Sequence, residues 1–154
     1  MANEPAAAYG RNSYVDVMLY LHKVGLTPEV KERVGRRLMM ESVSLYLTKA
    51  FARLDSLASL KDGWDGEGAR HVSYKAIDNL KRVLLISDDD DWKNWMIGPD
   101  TDGTLGLQSK VTDACISIGS EEFSYYADIA GKEMHDSHVP FSPYVFLETM
   151  RQIG

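Results

Sequence analysis

The sequence predicts an α+β domain: N-terminal helices, one of them long, packed on an antiparallel meander of four to five strands, with a C-terminal helix. Three observations predict it. Apolar residues recur at helical spacing through the first 60 residues and again between Ser73 and Ser87. After Trp95 the period changes to two. The period-two segments are joined by connections too short for anything but antiparallel neighbours.

Residues 1–10 are Ala-rich, contain Glu4 and Pro5, and lack the basic start and apolar stretch of a signal peptide; they are expected to be a disordered tail before one domain over 11–154. Tyr14, Val17, Met18 and Leu21 make one apolar stripe, a helix over 13–24 that Gly25 can end. Thr27, Pro28 and Glu29 then supply an N-cap, the favoured Pro at the first helical position and an acid at the positive dipole end. The stripe Val30, Val34, Leu38, Leu45, Phe51, Leu54, Leu57 and Leu60 carries this second helix to residue 60, with Gly35, Ser42 and Ser44 as places for a break. That completes a helical part, 11–60, before a turn, helix and sheet over 61–154.

Three glycines between Gly63 and Gly68 make Lys61–Ala69 a structured turn rather than a helix. Ser73 caps a third helix with a buried stripe of Ala76, Ile77, Leu80, Val83 and Leu84, ending at Ser87 and the acidic run Asp88–Asp91. Strands follow at Trp95–Ile97 and Thr104–Gln108 around the turn residues Pro99 to Gly103, then at Ala114–Ile118, Phe123–Ile129 and Glu133–Val139. Ser142-Pro143 starts the last helix.

With 44% hydrophobic and 26% charged residues over 154 positions, the composition excludes wholesale disorder, a collagen-like repeat and a coiled-coil rod. The single cysteine, Cys115, leaves no intramolecular disulfide and fits a reducing compartment; no apolar run is long enough to span a membrane, so a cytoplasmic chain is expected. Charge is uneven. Residues 1–60 hold 8 Lys/Arg and 6 Asp/Glu, net +2, whereas residues 61–154 hold 9 and 17, net −8.

The Gly-Trp-Asp-Gly-Glu-Gly turn is the most distinctive local feature. Asp62, Asp65 and Glu67 are oxygen ligands of the kind a hard cation takes, but their spacing departs from the EF-hand loop. The expectation is structural: Trp64 as a hydrophobic plug between helix and sheet, Asp65 bonded to turn amides, and glycines at positive φ. Asp88–Asp91 reads as a solvated loop. His135 and His138, three apart, would fall on opposite faces of a strand, so with His71 and Cys115 they make no zinc site; Cys115 reads as a buried, inert thiol. Neither metal nor cofactor is expected, and no nucleophile-elbow, P-loop or dinucleotide fingerprint occurs. Lys31, Arg33, Arg36 and Arg37 form a basic cluster, but Glu29, Glu32 and Glu41 interleave it and the chain is acidic, so direct nucleic-acid binding is not expected.

The stretch from Leu57 to Ala69, with Trp64-Asp65-Gly66-x-Gly68-Ala69 at its end, then Ile97-x-Pro99, Asp102-Gly103-x-Leu105-x-Leu107 and Ile116-Ser117-Ile118, resembles a group of small uncharacterised bacterial and phage-associated proteins. Some of these look like one half of toxin and antitoxin gene pairs. This chain departs from their pattern at Gln108, where an acid followed by Trp is expected. The resemblance implies a binding role and transfers no catalytic residue. The leading expectation is therefore a non-enzymatic interaction protein whose acidic region binds a basic protein partner, with the long helix offering a face for a second copy. The alternative is a small-ligand binder or hydrolase with a pocket between the sheet and the Trp64 turn, using Trp64, Asp65, Glu67, His71, Tyr125 or His135. A metal-stabilised regulator is a third.

Overall fold

The structure, a computed structural model, describes residues 27–30, 33 and 45–154. The chain divides into two compact units, Met1–Arg53 and Leu54–Gly154. In the first, residues 28–30 are helical and Thr27 Oγ1 accepts from the Val30 N–H at 3.5 Å, the capping contact that the Thr-Pro-Glu start implies. Helix α1, Leu45–Ala58, runs through the division after Arg53 and carries a buried stripe of Leu47, Ala50, Phe51, Leu54 and Leu57. The expected tail at 1–10, the helix over 13–24, three of the four clustered cations (Lys31, Arg36 and Arg37) and the continuity of the long helix before Leu45 lie outside the described residues.

In the second unit, the Lys61–Ala69 segment closes on itself: Gly63 N–H donates to Ala69 O at 2.6 Å, and Gly63, Gly66 and Gly68 have φ of +81°, +106° and +93°. A Cβ would be strained at each, which is why the segment is glycine-rich. Helix α2, Tyr74–Ile86, starts where Ser73 Oγ accepts from the Ala76 N–H at 3.3 Å, and the whole expected stripe is buried. The acidic run differs from the expected solvated loop. It forms a single helical turn, α3, Asp89–Trp92, because Asp91 reaches back to the Asp88 N–H at 2.9 Å and acids suit a helix start.

Five strands follow in the order β1-β2-β3-β4-β5, every neighbouring pair antiparallel: β1 Trp95–Pro99, β2 Leu105–Ser109, β3 Asp113–Ile118, β4 Glu122–Ile129 and β5 Lys132–Pro140. Helix α4, Pro143–Ile153, ends the chain and packs with α2 and against the sheet at β4, while α2 packs at β3. Leu105, Leu107, Ala114, Ile116, Ile118, Phe123 and Ala127 form the apolar series that faces these helices, and the Phe123 and Phe146 rings meet edge-on at 5.1 Å. Each large apolar side chain fully buried there contributes roughly 1.5–3 kcal/mol.

Alternation places Cys115 between buried Ala114 and Ile116 but on the other face, so the thiol is exposed, contrary to the buried thiol expected from residue type. In β5 a register shift opposite Phe123 and Tyr125, with His138 at φ +60°, interrupts the alternation on which separating His135 from His138 rested; both histidines are exposed.

Candidate functional site

Directly opposed residues of antiparallel strands share a face, so the register lays out the face of the sheet turned away from α2 and α4. Three rows cross it. Asp113, Asp128 and Glu133 stand opposite one another on β3, β4 and β5. Met96, Gln108, Cys115, Tyr126 and His135 form the next row, across all five strands. Gly98, Gly106, Ser117 and Ser124 form the third, and their small side chains floor a trough of about 650 Å³.

The acidic ladder is held from within. Asp128 Oδ1 accepts the Gly131 N–H at 2.9 Å, and the Tyr126 hydroxyl donates to Glu133 Oε1 at 3.4 Å. Loss of hydration, then the charges of Glu133, Asp128 and Asp113, holds the Tyr126 phenol above its ordinary pKa. At the far end a Cβ added to Gly106 would stand 2.9 Å from Asp100 Oδ2. Loss of hydration, with the Asp102 charge second, raises the pKa of that carboxyl. Thr104 joins the group, donating to Asp102 Oδ1 at 2.6 Å and accepting from Ser117 Oγ at 2.9 Å.

A second concavity, a cleft of about 730 Å³, lies where the end of the Trp64 turn, the start of α2, the β1–β2 loop and the β3–β4 turn converge. Arg70 N–H donates to Thr101 O, Ser73 N–H to Gly103 O, and the Asn79 side chain to Gly119 O and Ser120 O, so four chain segments are tied around it. Asp62 Oδ1 accepts from the His71 N–H and meets His71 Nδ1, both at 2.8 Å. The backbone bond, then the side-chain bond to His71, holds the Asp62 carboxyl below its ordinary pKa. Ser73 Oγ and Ser120 Oγ are 2.9 Å apart.

The residues singled out from the sequence fall into two groups. His71 lines the cleft, whereas Tyr125 and His135 line the trough. Tyr125 is opposite Ile116 in the helix-facing series, half-buried, with its ring 6.5 Å from that of Phe123. Trp64 is half-buried rather than a buried plug: its indole N–H donates to Arg70 O at 2.8 Å and clips the turn shut. Asp65 and Glu67 are exposed, and the carboxylate of the segment that bonds a backbone amide is Asp62, which accepts from the His71 N–H just beyond the turn. Sequence reasoning missed the ladder and the small-residue floor. Alternation carried through the short turns from β3 to β5 holds the signal for Asp113, Asp128 and Glu133.

Among the described residues, no group of three or more His, Cys, Asp or Glu side chains is placed to hold a metal ion, and no helix is long and apolar enough to cross a membrane. No protein-family model, no curated protein and no solved structure matches this chain.

Proposed function

We propose that this chain is a non-enzymatic protein-interaction module, the antitoxin-like half of a two-protein pair, that docks a basic extended segment of its partner on the outer face of the sheet. The observation that carries the reading is the ladder of Asp113, Asp128 and Glu133 on a face that no helix of its own unit covers. Like charges directly opposed on neighbouring strands cost stability. Among the described residues no Lys or Arg forms an ion pair with any of the three. Arg or Lys side chains of a partner neutralise that row, while the Gly98–Gly106 floor lets a peptide backbone lie close to the sheet. The charge of −8 over residues 61–154 speeds encounter with a basic surface. The resemblance at Trp64–Ala69 favours the paired setting, and a cytoplasmic location keeps the exposed Cys115 reduced.

Co-expression with the product of the adjacent gene tests this. The partner is expected to be retained at about 50 mM salt and released near 0.5 M, as screening requires. Gly98→Phe places a ring on the trough floor at a position where an added Cβ meets nothing within 4 Å, and is expected to abolish retention. Asp113→Asn with Glu133→Gln should weaken it about tenfold. No retained partner at low salt, or equal retention by both variants, overturns the reading.

A small-ligand reading is supported elsewhere, by the cleft beside the Trp64 turn. His71 has its orienting carboxylate there, but the two serine hydroxyls bond each other rather than His71. The cleft therefore fits binding better than hydrolysis.

A further inference from the structure

We infer that the cleft at the start of α2 binds a small phosphorylated ligand that carries a planar ring, of the nucleoside monophosphate class. The site rests on the small-ligand reading and is independent of the docking face.

Three observations converge. Tyr74 is 68% exposed, more than any other large apolar side chain described, and its ring lies 5.9 Å from that of His71 at 37°. A wall of two rings left in solvent offers a stacking surface for a third. Asp62 accepts from the His71 backbone N–H and meets its Nδ1, which orients the ring and leaves Nε2 for a ligand.

The donors around this wall suit a phosphate. Arg70 lines the cleft and its charge acts on nearby Asp62, but among the described residues its guanidinium makes no hydrogen bond or close ion pair, so its planar fork can turn to two parallel bonds with phosphate oxygens. The Ser73 and Ser120 hydroxyls have two hydrogens for the single bond between them, and Ser73 Oγ already accepts from Ala76, so one hydroxyl hydrogen is left to donate. The two carboxylates of the lining, Asp62 and Asp102, keep their charge but are turned toward His71 and Thr104, and the lining's Arg70 and Lys75 oppose them, Lys75 also standing 3.5 Å from Glu121 Oε1. A volume of about 730 Å³ is more than orthophosphate needs and is of nucleotide size.

Arg70 allows a clean test because its structural bonds are made by its backbone: its N–H donates to Thr101 O and its carbonyl accepts from Trp64. Melting is followed with adenosine 5′-monophosphate, uridine 5′-monophosphate, inorganic phosphate and adenosine, each at about 10 mM. A dissociation constant near 1 mM raises the melting temperature by about 5 °C. Either monophosphate is expected to do so, and more than phosphate or adenosine alone. Arg70→Met and Tyr74→Ala should melt as the parent does without ligand and lose the shift. Absence of a shift with both monophosphates, an equal shift with inorganic phosphate, or a shift that survives both substitutions overturns the inference. Retention of the protein partner by Arg70→Met separates failure here from failure of the docking reading.

Discussion

At the scale of single residues, hydrogen-bond reach outweighs residue type. Trp64 looks like a core residue in the sequence, yet the buried indoles are Trp92 and Trp95, and Trp64 works through its N–H. Asp65 and Asp62 are chemically alike and three apart; only Asp62 meets the amide and ring of His71, nine residues on. Its carboxyl is held below the ordinary value, so the stabilisation it supplies is fully present above the unfolded pKa and is lost as pH falls through the folded one. Asp102, bonded by the Thr104 hydroxyl and N–H, follows the same sign, whereas Asp100, raised, opposes it. The stability gap between the parent and Asp62→Asn is expected to be constant at neutral pH and to close below about pH 4, measured by urea midpoints across pH.

At the scale of elements, turn chemistry decides how the rows of the sheet align. The β4–β5 hairpin has a two-residue loop, Ala130-Gly131, with φ of +53° and +81°, the signature of a type I′ turn. This geometry matches the twist of the flanking strands and sets Asp128 against Glu133. Gly131 suits it, but Ala130 holds a left-handed conformation that costs an L-residue roughly 1 kcal/mol. Ala130→Gly is therefore expected to raise stability by about 0.5 kcal/mol, with the gain reduced by glycine's extra freedom in the unfolded chain. A thermal melt that falls instead would show that the alanine methyl group packs usefully.

At the scale of the whole unit, one helical layer covers one face of one sheet and leaves the other to solvent. A tie at one end of this arrangement is Arg151 on α4, whose Nε and Nη2 donate to the two Asp91 oxygens at 2.8 and 2.9 Å. Asp91 is 12% exposed but Arg151 is 47% exposed, so the pair is partly screened and Arg151→Met should cost about 1 kcal/mol by denaturant unfolding. A loss under a few tenths would show that α4 is held by Phe146, Leu147, Met150 and Ile153 alone. The sequence by itself determined the meander, the Ser73 cap and the apolar stripe of α2, because periodicity, capping and turn residues act over a few positions. It also determined the acidity of residues 61–154. Which carboxylates stand in one row, on which face Cys115 lies, and where Tyr125 and His71 part company were decided only by tertiary structure. Those properties depend on strand register and on which face the helices cover, and residues far apart in the chain set both.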